Sequence, residues 1–398
     1  MFQDSLRLPS FVQPLFCFAV AIIILIASWS SRACLADVLV QTVGNDIVIL
    51  GDSQPNRVLI QFGIDFSTNT FGPEVVVDND FSNSIKLGDF DIEEIFISLE
   101  GGDDSFLVRG VQFNSFVGSF GGGDDCVFFD ESIGEISLDV DIVLGAGNDE
   151  VIFDQTETIH GNVNIEMNGG DDYLELSPLN IGGDFTCTTG AGSDSIRNDD
   201  FLSGVFAVFG NTRISTSGGN DTISLLTREA QDSSGGPIAN VVFFGELELS
   251  LGGGNDMLNF EAGVGLDATI NMGGGNDCML ISPSTHGLDA TVFCGDVIIR
   301  GGGGSDELSF GNVLTTFFEK DFQFFGGRGR DSFTTSSMLV ANGGFDVSLG
   351  LGNDNLDVDL NGSFAFPGTL NGGSGTDSLS PNSNALEDLG FSVLKFEN

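Results

Sequence analysis

Positive charge is what this sequence has least of. Lys and Arg total 13 against 58 Asp and Glu, a net charge of −45 over 398 residues. A chain this acidic repels polyanions, so nucleic acid is excluded as a partner and anionic membrane surfaces are disfavoured. Trp and Tyr occur once each and His twice. No GxSxG, HExxH or Cys/His arrangement is present, and His160 and His286 both lie in loop-like stretches next to Gly. With so many carboxylates, an acidic pair of the kind glycosidases use arises by chance and carries no weight. The expectation is a non-enzyme, with a carbohydrate-active β-helix lyase or hydrolase as the alternative. Cysteine is sparse too: Cys126, Cys187, Cys278 and Cys294 show no CxxC spacing and are too few for a disulfide framework.

What is present points to a folded core. Hydrophobic residues make up 41%, with 37 Phe and 57 Gly, so this is not the low-hydrophobicity acidic composition of a disordered chain. The first 36 residues read as a signal peptide. Arg7 supplies a weak positive charge, Leu15 to Ser28 is apolar, and Cys34-Leu35-Ala36 offers small residues for cleavage after Ala36. Secretion or display at the cell surface follows, with membrane attachment only if the segment stays uncleaved.

The decisive feature is an internal repeat. A Gly-rich turn closed by Asp recurs twelve times, ending at Asp104, Asp125, Asp149, Asp172, Asp194, Asp221, Asp256, Asp277, Asp306, Asp331, Asp354 and Asp377. Most copies lie about 23 residues apart, and the longest gap, 35, contains an insertion at 226–240. The residue two beyond each Asp is apolar in every copy, from Phe106 and Val127 to Leu356 and Leu379. The residue four beyond is apolar except at Asn198, Thr335 and Pro381. Alternation of this kind marks a strand with one face inward. A second strand precedes each turn, as in Val163-Asn164-Ile165-Glu166-Met167 and in Ile136 to Leu144.

A unit of strand, loop, strand and turn cannot bury its apolar face alone, but stacked on copies of itself it can. The fold class predicted is therefore all-β, a single parallel β-solenoid of about 12–15 coils rising about 4.8 Å each, with Phe stacked inside. Residues 37–98 are expected to form an N-terminal cap and the first irregular coils, including a degenerate motif around Asp46. Residues 99–380 form the repeat solenoid, and 381–398 a C-terminal capping strand.

Stacking turns the motif Asp residues into a column. Two unit charges 4.8 Å apart repel by about 1–3.5 kcal/mol between ε of 80 and 20, so the column calls for a cation. Backbone carbonyls from the Gly turns, with Asn or Asp before the motif Asp, provide the oxygen-only donors that suit Ca²⁺. The competing reading is that these side chains only hydrogen-bond their own turns.

Here the sequence resembles the repeats-in-toxin calcium-binding nonapeptide, GGxGxDxUx, where U is a large apolar residue. The core matches in full at Gly301 to Leu308, Gly326 to Phe333 and Gly372 to Leu379, while most other copies lack only the first Gly. The resemblance implies Ca²⁺ as cofactor, held by Asp104, Asp125, Asp149, Asp172, Asp194, Asp221, Asp256, Asp277, Asp306, Asp354 and Asp377. Asp331 is set apart because Arg328 and Arg330 flank it. The chain departs from that family in carrying one motif per coil instead of tandem nonapeptides. A secreted calcium-binding structural or adhesive protein is the expectation, with calcium ions as partner and extracellular polysaccharide or cell-surface components as further partner classes.

Overall fold

The computed structural model describes residues 34–397, apart from 36–37, 66–69, 79–83, 88–91, 131–134, 155–157, 177–178, 199–204, 227–229, 232–236, 239–240, 282–290, 312–314, 336–338 and 360. The apolar leader segment and His286 lie outside the described residues, as does most of the 226–240 insertion. Among the described residues no helix is long and apolar enough to cross a membrane.

The chain winds into a parallel β-solenoid. The twelve strands that follow the motif Asp residues stack in one 15-stranded sheet, from Ser105–Arg109 through Cys126–Phe129 to Ser378–Ser380. Register is fixed by the motif: Val127 lies opposite Phe106 on one side and Val151 on the other. A one-residue slip would turn the apolar set outward. The strands that precede each turn form the opposite wall, for example Val140–Ala146 against Val163–Gly169.

Most coils carry one more corner than the sequence suggests. Ile136 to Leu144 reads as one alternating strand, but the chain breaks into Glu135–Ile136 and Val140–Ala146. Leu138 occupies the bend and is 56% exposed. The alternation persists through the bend because residues on both sides of it point inward, so periodicity alone does not register the corner.

Large side chains fill the interior. Phe260, Phe293 and Phe318 stack on successive coils at 5.6 and 5.2 Å with ring planes within 15°. Phe129 and Phe153 stack at 4.9 Å. The polar interruptions in the motif strand are accounted for locally. Buried Asn198 pairs with the backbone of Leu226 in both directions, Nδ2 donating to its carbonyl and Oδ1 accepting its N–H, each at 2.8 Å. Thr335 Oγ1 accepts the N–H of Asp359 at 2.8 Å.

The two ends differ. At the N-terminus, Val38–Val43 pairs antiparallel with Asp46–Leu50, and Arg57–Asp65 with Thr70–Val77. The degenerate motif around Asp46 is the turn of the first of these hairpins, with Gly44 at φ 67°, and not a coil of the column. At the C-terminus the expected strand is preceded by a short helix, Ser383–Asp388, capped by Asn382, whose side chain accepts the N–H of Ala385. Leu386 and Phe391 from this segment close the core, and Ser392–Leu394 adds the last strand.

Candidate metal centre

The motif Asp residues point into the solenoid. All twelve are at most 2% exposed. Their inward direction follows from the strand period, since Asp and the apolar residues two and four beyond it share one face. The tight turn before each Asp depends on Gly. Gly254 adopts φ 145°, and a Cβ there would collide with the carbonyl oxygen of Gly219 one coil below. Only bare backbone stacks at this spacing.

The column is a hydrogen-bonded ladder. Oδ1 of each Asp accepts the backbone N–H of the motif Asp in the preceding coil, at 2.8–3.0 Å over eleven rungs. The ladder begins at a residue that sequence reading missed. Asn56 donates its N–H to Asp104 Oδ1 at 2.6 Å and its Nδ2 to the same oxygen at 3.1 Å. It stands where the motif Asp would stand, and Arg57 and Val58 pair with Ser105 and Phe106. The available signal was the apolar pair Val58 and Ile60, two and four residues beyond Asn56.

One carboxylate oxygen per rung is left over. Oδ2 of Asp104, Asp125, Asp149, Asp172, Asp221, Asp256, Asp277, Asp306, Asp331 and Asp354 is buried and meets no hydrogen-bond donor among the described residues. Asp194 differs, because its Oδ2 accepts the hydroxyl of Thr189. Loss of water raises these carboxyl pKa values. Asp125, Asp172 and Asp306 rise to about 7, and Asp104, Asp149, Asp256 and Asp331 to about 6, from the ordinary 3.8. Burial is the main cause in each, and neighbouring carboxylates add to it at most rungs. The backbone N–H on Oδ1 works the other way, stabilising the charge without matching the cost.

In the three coils that match GGxGxDxU in full, a carbonyl and the spare Oδ2 converge. At the point where Gly301 would carry a Cβ, the Gly326 carbonyl oxygen lies 2.6 Å away and Asp306 Oδ2 2.7 Å. Gly326 has the Leu349 carbonyl oxygen at 2.5 Å and Asp331 Oδ2 at 2.7 Å. Gly372 is flanked by the Lys395 carbonyl oxygen and Asp377 Oδ2. A side chain at any of these glycines would fill the space that the carbonyl and the carboxylate oxygen border, and Gly leaves that space open. Leu144, Met167, Leu251 and Met272 occupy the equivalent position in other coils, where a side chain takes that space.

Among the described residues no three His, Cys, Asp or Glu side chains surround one point. A cation here would thus take its remaining donors from backbone carbonyls. Asp331, set apart on sequence grounds, sits in the column like its neighbours and is 0% exposed. Arg328 and Arg330 point outward instead, because the Gly-rich turn, with Gly327 at φ 108° and Gly329 at φ 127°, reverses the inward face at this corner. His160 faces Glu135 Oε2 at 3.3 Å on the surface, away from the column.

Two further ladders run outside. The residue before each motif Asp is exposed, and its N–H binds the equivalent side chain one coil below, as in Asn148 N–H to Asp124 Oδ1 at 2.8 Å and Asn276 N–H to Asn255 Oδ1 at 2.7 Å. A third row, Asp139, Asn162, Asp184 and Asn211, does the same at the bend before the long strand, at 2.6–2.9 Å. That row too escaped the sequence reading, although Gly161-Asn162, Gly183-Asp184 and Gly210-Asn211 carry its signal.

No family model matches the chain, and no curated protein matches it in sequence. Among solved structures it is similar to a hyperactive, Ca²⁺-dependent, β-helical antifreeze protein from an Antarctic bacterium, at 20% identity and a TM-score of 0.46, over 77% of this chain and 90% of that one. That likeness is too loose to transfer a ligand or an activity.

Proposed function

We propose that the chain is a secreted structural or adhesive solenoid made rigid by Ca²⁺ along its inner Asp column. The observation that carries this reading is the row of buried, unpartnered Oδ2 atoms. A carboxylate sealed from water without a partner is costly, and a divalent cation offsets that cost at every rung it bridges. Asp306, Asp331 and Asp377 are the first-choice ligands, since a carbonyl oxygen converges with each of them. Asp104, Asp125, Asp149, Asp172, Asp221, Asp256, Asp277 and Asp354 form the rest of the row. Asp194 is the least dependent on an ion, because Thr189 already serves its Oδ2. When bound, Ca²⁺ supplies charge neutralisation and cross-coil bridging. The Gly turns exclude water and hold the carbonyls in place, and the N–H on each Oδ1 orients the carboxylate. Outside a cell, millimolar Ca²⁺ fills sites of modest affinity, so the chain stiffens after export.

The test is a thermal melt of the protein titrated with Ca²⁺ and, separately, Mg²⁺. A midpoint that climbs steeply with Ca²⁺ and little with Mg²⁺ is expected. A metal-free protein already at its maximum stability, indifferent to Ca²⁺, would reduce the column to a hydrogen-bonded turn ladder.

A further inference from the structure

The outer surface of the turn edge changes character along the rod. Two positions per coil define it, the exposed residue one before the motif Asp and the residue three before it, which is exposed in some coils and half-buried or buried in others. In the first four coils the nearer position holds Asp103, Asp124, Asn148 and Asp171, and the farther one only Gly101, Gly122, Ala146 and Gly169. This is a flat strip bordered by carboxylates. The following coils are neutral and equally flat, with Ser193, Asn220, Asn255, Asn276 and Ser305 beside Ala191, Gly218, Gly253, Gly274 and Gly303. The tenth coil breaks the pattern with Arg330 and Arg328, and the eleventh presents Leu351, 53% exposed. Phe325, 42% exposed, precedes Arg328 on the same strand, and Arg300 pairs with it in register.

Arg328 and Arg330 face no carboxylate within ion-pair distance among the described residues. The chain has only 13 Lys and Arg against 58 acids. Two guanidiniums free of partners, framed by Phe and Leu, are therefore unlike the rest of its surface. Arg and aromatic side chains around a protruding apolar residue have the composition of an interface centre.

We infer that two copies of this chain associate side by side and antiparallel along the turn edge. Arg328, Arg330 and Leu351 of one copy dock on the Asp103–Asp171 strip of the other. A two-fold arrangement makes the contact twice. From the second coil to the tenth is about eight rises of 4.8 Å, or about 38 Å, and an antiparallel pairing brings the basic end of each edge onto the acidic end of the other. Shape agrees with charge, because the protruding side chains meet a strip of Gly and Ala with nothing beyond Cβ. The neutral coils between can approach closely for the same reason. Screening over about 8 Å at physiological ionic strength attenuates the repulsion between charges on the more distant faces.

The experiment is sedimentation velocity on the purified protein at fixed saturating Ca²⁺, over a range of concentration and salt. The wild type should dimerise, more weakly at high salt. R328S/R330S and D103N/D124N should each weaken the dimer by on the order of tenfold, and combining all four should cost little more than either pair alone. Ser and Asn already serve the outer ladder at other coils, so these variants keep its hydrogen bonds, and unchanged far-UV circular dichroism will verify the fold. A wild type that is monomeric at its solubility limit overturns the inference, as does a dimer indifferent to R328S/R330S. So does a monomer whose Arg pair instead captures a polyanionic glycan.

Discussion

Removing Ca²⁺ should give this protein a stability that falls as pH rises through neutrality. The buried carboxyls have folded-state values above their unfolded value of 3.8, reaching about 6 at Asp149 and about 7 at Asp125 and Asp172. A raised value in the folded state means the neutral form is favoured there. The associated stability is complete below pH 3.8 and is lost as pH rises through about 6–7. A rise from 3.8 to about 6, at 1.36 kcal/mol per unit, amounts to about 3 kcal/mol for one rung. The rungs interact, so their effects do not simply add. With an unfolding entropy near 2.1 cal/mol/K per residue, 3 kcal/mol corresponds to a midpoint shift of roughly 4 °C in a chain of this size. The assay is a thermal melt between pH 5.5 and 7.5 in chelator, a window above the titration of ordinary surface carboxylates. Within this window a rung near 6 should lose about 1 kcal/mol and a rung near 7 about 2 kcal/mol, so the midpoint should fall by roughly 1–3 °C per titrating rung, and saturating Ca²⁺ should flatten the curve by holding the carboxylates ionised. D125N and D172N should each reduce the slope, since Asn keeps the Oδ1 acceptor and loses the titration. A midpoint that is level or rises across this window would refute the reasoning.

Other consequences can be checked with single substitutions. G301A, which places a methyl between Gly326 O and Asp306 Oδ2, should reduce the Ca²⁺-induced shift in midpoint. G303A, whose Cβ meets nothing within 4 Å, should leave it unchanged. D331N should weaken the Ca²⁺ response as much as D306N does, and a silent D331N would show that its arginine neighbours matter after all. F293A, at the centre of the Phe260–Phe293–Phe318 stack, should cost about 3–5 kcal/mol in denaturant unfolding. N56A removes the side-chain donor to Asp104 and should cost about 1–2 kcal/mol, read in the same experiment.

The solenoid was legible because its signal repeats. Twelve copies of an apolar residue two beyond an Asp fix strand, face and register together. The three full GGxGxDxU copies also marked the three coils where a carbonyl converges on the spare carboxylate oxygen. What escaped was local. The bend at Leu138 preserves alternation on both sides and leaves no break in the pattern. Asn56 lacks the Gly-rich turn that identifies every later rung, so only pairing reveals it. Asp331 was set apart because sequence neighbours were taken for spatial ones. In the turn Arg330 is exposed while Asp331 is buried in the column, and no charge argument along the chain captures that.

The ladders also carry a direction. An inner carboxylate accepts the N–H of the coil before it, while an outer Asx side chain accepts the N–H of the coil after it. A coil laid onto a growing stack from the N-terminal side therefore finds its outer acceptor waiting and completes its predecessor's inner bond on arrival. Its own inner N–H stays open until the next coil comes. The two ends of the stack are therefore chemically unlike, and at the C-terminal end the helix Ser383–Asp388 and the strand Ser392–Leu394 cover the last coil.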